Sequence, residues 1–287
     1  MKLVRYGTAG NEKPGIIDRD GGIRDLSGHV GDIGGAVLSR AGLGRLAAID
    51  LNSLPLVNAG VRLGPCVARP GNFLAVGLNY SDHAKESNMP VPTEPILFNK
   101  APSSIAGPDD DLVLPADALK TDWEVELAVV MAEDAWRVDR ASALDLVAGY
   151  CICNDISERG WQLERGGQWM KGKSGPGFGP LGPWLVTTDE ITDPQVLAMF
   201  LDVNGERVQT GSTATMVFGV AELVAEISRF VRLERGDVIA TGTPPGVGMA
   251  RKPPLFLKNG DVMELSIAGL GTQCQKVAFK RHRQVID

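Results

Sequence analysis

The sequence lacks several features that would point to well-known chemistries. No apolar run reaches the roughly 18–20 residues that a membrane-spanning helix needs. Basic residues are not in excess. Lys and Arg number 29 against 35 Asp and Glu, giving a net charge of -6 and a sequence pI of about 5.2, which argues against a broad nucleic-acid-binding face. The opening MKLVRYGTAG is not followed by an apolar stretch, so no secretory signal is read there. Cysteine is sparse. Cys66, Cys151, Cys153 and Cys274 offer no second pair and no nearby His to complete a zinc site. Cys151 and Cys153 lie in the apolar run AGYCICND, as small core residues do. A reduced, cytoplasmic protein is the simplest expectation.

What is plentiful is glycine and proline. The 35 Gly and 18 Pro make up almost a fifth of the 287 residues, and they are dispersed. Frequent turns between short strands explain them better than long helices do, so a mainly β, α+β chain is expected. Residues 1–68 read as a small N-terminal α+β domain with its linker. Strand-like pieces at Lys2–Tyr6, Gly15–Asp18 and Ile23–Asp25 precede helices around Ile33–Ala41 and Leu43–Leu51, and LGPCVARPG (Leu63–Gly71) reads as the linker. The remainder, 69–287, is strand-rich. Strands are predicted at Phe73–Gly77, Pro95–Asn99, Trp123–Met131, Val147–Cys153, Ala198–Asn204 and Asp237–Ala240, and an Asn-Gly hairpin at Asn259–Gly260. Helices are predicted at Ala141–Ala148, Glu158–Glu164 and Val220–Phe230.

Five motifs carry chemistry. In Asp122-Trp123-Glu124-Val125-Glu126, residues two apart on a strand share a face, so Glu124 and Glu126 aim two carboxylates at one spot. Like charges at the edge of a core are costly unless a cation lies between them, and hard divalent ions take oxygen ligands. A solvated strand end is the plainer alternative. Asp155 follows an apolar strand directly. Alone it reads as a turn or helix cap; with the two glutamates it completes three oxygen ligands that suit Mg²⁺ or Mn²⁺. In GLNYSDHAKE (Gly77–Glu86), His83 and Glu86 share a helical face. Such a pair can deprotonate water near neutral pH, or it can be an ordinary surface pair. The loop Thr241–Gly248, TGTPPGVG, has free backbone N–H groups that could hold a carboxylate, unless it is a tight turn only. In Lys171-Gly172-Lys173-Ser174, a loop lysine could steady an oxyanion, although most such lysines face solvent.

The order of these blocks is more specific than any one of them. GLNYSDHAKE, PILFNK, WEVELAVVM, GYCICNDISERGWQ, KGKS, GPLGPW and TGTPPGVG run from about Asn72 to the late 260s, some two-thirds of the chain. Together they resemble the fumarylacetoacetate hydrolase family. The resemblance implies the family's mixed β-sheet roll, usually a homodimer, with a small extra N-terminal domain. It implies Mg²⁺ or Mn²⁺ on Glu124, Glu126 and Asp155, and a water-activating dyad of His83 and Glu86 on a lid. Lys173 becomes the catalytic loop lysine. Gln162 and Thr243 become substrate contacts, with Arg159, Tyr80 and Gly242 as further contacts in the same blocks. The implied reaction is cleavage of the C3–C4 bond of a 2,4-diketo acid to release pyruvate. The N-terminal unit and KPPLFLKNGD (Lys252–Asp261) resemble a bacterial subgroup that acts on 2,4-diketo-3-deoxy-L-rhamnonate or -L-fuconate, yielding pyruvate and L-lactate. The family also holds isomerases and decarboxylases of 2-oxo dioic acids, oxaloacetate decarboxylases and ureidoglycolate lyases, and a carboxylate-binding protein without turnover is a further alternative. Two departures fall near the expected pocket. Glu158-Arg159-Gly160 stands where many relatives read Ala-Arg-Asp, and Gly175-Pro176-Gly177 where many carry Asp-Thr. They bear on substrate rather than on the metal ligands.

Overall fold

The two most apolar stretches form the middle of the structure. Val125–Met131 and Val147–Asn154 pair antiparallel, with Glu126 opposite Cys153 and Val125 opposite Asn154. Every residue of both strands is buried, which is why neither keeps an inside–outside alternation. They belong to a ten-stranded mixed sheet in a computed structural model of the chain, which describes residues 1–86 and 90–280, the side chains of 83–85 excepted. Its strand order is Ile23–Asp25, Lys13–Ile17, Lys2–Tyr6, Gly179–Thr187, Val147–Asn154, Val125–Met131, Val238–Ala240, Phe73–Gly77 and Ile96–Lys100, with Ile105–Ala106 alongside Gly179–Thr187. A second sheet has the order Glu206–Ser212, Ala198–Val203, Val262–Ile267, Gly271–Lys280 and Leu112–Pro115. The fold is the strand-dominated α+β architecture expected.

The two faces of the central sheet serve different cores. Val125, Leu127, Val129, Tyr150 and Ile152 pack with Met199, Leu201, Leu265 and Ile267 of the second sheet. Ala128, Val130, Ala148, Cys151 and Cys153 face the N-terminal segment, in one cluster with Leu26, Ile33, Leu38 and Leu54. The small side chains on this second face let the N-terminal layer approach closely. Residues 1–68 are also joined to the rest through backbone. Leu3 pairs with Leu185, and Cys66 donates its N–H to the Leu181 carbonyl at 3.3 Å.

Several elements differ from the sequence-based expectation. The two N-terminal helices are one 3₁₀ turn, Gly35–Leu38, and one α-helix, Arg40–Ala47, with Ser39 as its N-cap. The helix at 141–148 is cut short to Arg140–Ala143 plus a 3₁₀ turn, Leu144–Leu146, because the strand claims Val147 onward. The Asn-Gly hairpin is at Asn204–Gly205, not Asn259–Gly260. Asn204 (φ 53°) and Gly205 (φ 78°) are both left-handed, as a two-residue turn between twisted strands requires. Asn259 instead accepts the Phe279 N–H through its side chain, and the strand begins only at Val262.

Arg62 clamps the N-terminal segment to the rest. It donates to Asp110 through Nε and NH2, both at 2.6 Å, and to Glu12 at 3.0 Å. Burial raises the Asp110 carboxyl, but the Arg62 guanidinium and the Gly107 N–H outweigh it and hold the group below its ordinary value. A depressed carboxylate stabilises the fold above its unfolded-state pKa, and that contribution disappears as pH falls through the folded-state value. Asp110→Asn should therefore cost about 1–2 kcal/mol at pH 7. The gap to the parent, followed by urea titration, should close below about pH 4. An equal loss at pH 7 and pH 3 would contradict this account.

Candidate active site

The carboxylates come from two adjacent strands. Glu124 immediately precedes Val125–Met131, Glu126 is its second residue, and Asp155 follows Val147–Asn154. Asp155 donates its N–H to the Glu124 carbonyl at 2.9 Å, and the Asn154 side chain accepts the Glu124 N–H at 3.2 Å. This cross-bonding brings one oxygen of each carboxylate within 4.8 Å of the others. All three groups are buried.

Cations surround two of the three. Lys173, at the end of the short helix Met170–Lys173, donates to Glu124 and to Asp155, both at 2.6 Å. Lys100 ends its strand fully buried, donates to Asp155 at 2.5 Å, and also reaches the Lys173 carbonyl. Arg159 bridges Glu124 at 2.7 Å and Asp122 at 2.8 Å. Burial raises the Glu124 carboxyl, but Lys173 and Arg159 overcome it and bring it down to about 2. Burial lowers Lys173, yet Asp155 and Glu124 hold it above its usual value. Glu126 goes the other way. Burial, then the charges of Asp155 and Glu124, push its carboxyl well above the normal range.

The TGTP loop closes the site from the neighbouring strand, Val238–Ala240. Gly242 donates its N–H to Glu126 at 2.8 Å. It does so at φ +97°, and an added Cβ would stand 2.8 Å from the Asn79 Cβ, so this turn needs glycine. Thr243 donates its hydroxyl to the Val125 carbonyl at 2.9 Å and accepts from Gln209 Nε2 at 2.8 Å. Its one hydroxyl proton is therefore already engaged.

A cavity of about 400 Å³ opens above these groups, lined on the polar side by Glu86, Glu124, Glu126, Arg159, Gln162, Lys173 and Thr243. Glu86 ends the helix Ser81–Glu86, and the Gly246 N–H donates to its carboxylate at 3.1 Å. His83 lies on that helix, three residues before Glu86, and its side chain is outside the described residues. Gln162 accepts from Arg159 NH1 at 3.0 Å. The structure does not bring Tyr80 to the cavity. Its ring is in the core and its hydroxyl lies 3.3 Å from the Met199 sulfur.

Sequence reasoning assigned no role to Lys100, Asp122 or Gln209. Asp122 was visible as the first residue of the acidic block. It accepts from Arg159 and from the N–H groups of Gly248 at 2.7 Å and Met249 at 3.0 Å. Gln209 reaches in from the second sheet and accepts the Val125 N–H at 3.0 Å, a contact no local pattern announces.

The sequence profile described as "Fumarylacetoacetate (FAA) hydrolase C-terminal" matches residues 72–278. The chain belongs to the fumarylacetoacetate hydrolase family. A Burkholderia multivorans protein, provisionally named a hydrolase, is 59% identical over 276 residues, 96% of this chain and 98% of its own length. Fumarylacetoacetate hydrolase from Exiguobacterium antarcticum is 38% identical with a TM-score of 0.86, covering 98% of this chain and 100% of its own. Maleylpyruvate hydrolase from Sphingobium sp. SYK-6, in complex with manganese(II) and pyruvate, is 28% identical with a TM-score of 0.82 and the same coverage.

The donor set in this member of the family fits a hard divalent ion. It offers three buried carboxylates with their oxygens close together, and oxygen donors are what Mg²⁺ and Mn²⁺ prefer. The Lys173 ammonium already bridging two of them, and the raised Glu126 beside it, mark a position short of positive charge.

Proposed function

We propose that the chain is a Mg²⁺- or Mn²⁺-dependent hydrolase that cleaves the C3–C4 bond of a 2,4-diketo acid and releases pyruvate. The observation that carries this reading is the buried triad of Glu124, Glu126 and Asp155 at the floor of the cavity, with Lys173 in contact with it and Glu86 at its edge. An ion held by the three carboxylates would supply the positive charge against which an α-keto acid's oxygens settle. Glu86 accepts the Gly246 N–H, and the Glu86–His83 pair takes a proton from water. The resulting hydroxide adds to the C4 carbonyl, the C3–C4 bond breaks, and its electron pair leaves as a pyruvate enolate. Lys173 lies where that negative charge develops and steadies it by hydrogen bonding. A proton returned to C3 completes pyruvate, and the C4 fragment leaves as a carboxylic acid.

Within this reading the substrate is 2,4-diketo-3-deoxy-L-rhamnonate or -L-fuconate, split to pyruvate and L-lactate in sugar catabolism. The protein acts in the cytoplasm as a homodimer, with residues 1–68 as its small N-terminal unit. His83, Glu86 and Lys173 do the chemistry, and Arg159, Gln162, Gly242 and Thr243 shape the keto-acid end. Because the Thr243 hydroxyl is committed to Val125, its part is to hold the loop and accept a hydrogen bond rather than donate one. Tyr80 supports this end from the core. Among the described residues, no helix is long and apolar enough to cross a membrane.

The test is pyruvate release from a panel of 2,4-diketo acids with Mg²⁺. His83→Ala should lower kcat by about 10²–10⁴ with KM little changed, the range expected for losing a general base. No turnover of any diketo acid, with pyruvate still binding, would leave a binding protein in place of an enzyme.

A further inference from the structure

The carboxylates occupy one end of the cavity, and the other end is apolar. Its wall is built from Leu78, Phe98, Leu163, Trp169, Val247 and Met249. Trp169 meets Phe98 edge-on, their ring centroids 5.4 Å apart at 63°. The indole is seated against Gly77, where an added Cβ would stand 2.6 Å from Trp169 Cζ3. The wall thus depends on a side chain that is missing from the floor strand. Leu78 follows in the left-handed conformation, φ 53°, an uncommon backbone state for leucine that points to a site held in shape by its surroundings.

Charge at this end is equally telling. Among the described residues, the cations lining the cavity are Arg159 and Lys173, and both are engaged with carboxylates, as is Lys100 behind them. Those three cations are paired with the carboxylates of Asp122, Glu124 and Asp155. A dioic substrate would bring a second negative charge to this apolar wall, where no cation lies among the described residues.

We infer that the wall of Trp169, Phe98 and their neighbours selects diketo acids whose far acyl group is uncharged (a short alkyl, hydroxyalkyl or aryl group) and rejects those ending in a second carboxylate. This rests on the hydrolase reading above. The experiment compares kcat/KM for acetylpyruvate, 2,4-diketo-3-deoxy-L-rhamnonate and benzoylpyruvate with that for maleylpyruvate. The best uncharged substrate should exceed maleylpyruvate by about 100-fold or more, the scale on which a site rejects a polar group it cannot pair. Trp169→Arg should narrow the ratio by about tenfold. Leu163→Arg, at a position 46% exposed where folding is not at stake, should narrow it in the same direction. Maleylpyruvate cleaved as fast as the uncharged acids by the parent protein, or a ratio unmoved in both arginine variants, overturns the inference and leaves the hydrolase reading standing. If no member is cleaved, the hydrolase reading fails instead. The wall is then judged by calorimetric Kd values for the same acids, and equal Kd values for charged and uncharged ends overturn it.

Discussion

Glu126→Gln should make the ion-free protein more resistant to heat and at the same time remove any stabilisation by Mg²⁺. Both effects come from one cause. The Glu126 carboxyl is buried beside Asp155 and Glu124 and sits well above its ordinary pKa. A carboxyl raised in the folded state imposes no penalty below its unfolded-state pKa, near 4.3, and an increasing one as pH climbs toward the folded-state value. Glutamine keeps the acceptor for the Gly242 N–H and removes the charge. We expect a gain of about 1–2 kcal/mol at pH 7.5, of the size seen when strained functional groups are neutralised, shrinking toward zero near pH 4. The parent should gain about 2.7 kcal/mol when Mg²⁺ is raised to 100 times its Kd, and the variant nothing. Turnover should fall by at least about 10³, because losing an ion that polarises the substrate removes several kcal/mol of transition-state stabilisation. A variant less stable than the parent at pH 7.5, or one that still melts later with Mg²⁺, would refute the electrostatic account of the triad.

Lys100→Met should be the most destabilising single change at the site. The ammonium is fully buried and compensates Asp155 from the side opposite Lys173. It also satisfies the Lys173 carbonyl and so fixes the helix that delivers Lys173 to the carboxylates. Taking one of two cations from the buried Asp155 leaves Lys173 as its one remaining ion pair, which costs up to about 3–5 kcal/mol. For a chain of this size that corresponds to a fall in Tm of roughly 6–15 °C. Activity should fall as well, through misplacement of Lys173 rather than through loss of a group that touches substrate. Differential scanning calorimetry decides the matter. A loss below about 1 kcal/mol would mean that Lys173 alone compensates Asp155.

The triad was legible in the sequence because its geometry is local. Glu124 and Glu126 sit two apart at a strand entrance, and Asp155 directly follows the strand that pairs with theirs. The TGTP loop was legible as a turn whose backbone N–H groups take carboxylates, but those it takes here are the chain's own Glu126, Glu86 and Asp122. Lys100 was hidden. A lysine at the end of an apolar strand usually reaches water, and nothing local reveals that Asp155, 55 positions on, waits for it. Gln209 was hidden in the same way, its partners Val125 and Thr243 being 84 and 34 positions distant. Tyr80 was assigned to substrate from its neighbours in the block, yet its ring turned into the core against Met199. The two Asn-Gly pairs show the limit of a turn signal. At Asn204 both flanking segments had strand partners within reach, whereas at Asn259 the preceding residues are held elsewhere, as when Leu257 donates to the Thr121 carbonyl.

The placement of Val238–Ala240 has a consequence for how the protein is made. That strand lies between Phe73–Gly77, to which it runs parallel, and Val125–Met131, to which it runs antiparallel. On a translating ribosome the two flanking strands emerge long before the one that joins them. Their unpaired edges, rich in Val, Leu and Ala, stay available to other nascent chains for the time needed to add more than a hundred residues, several seconds at typical elongation rates. Release of the chain before residue 238 would leave the sheet split at its centre, so premature termination here should produce aggregates rather than a folded fragment.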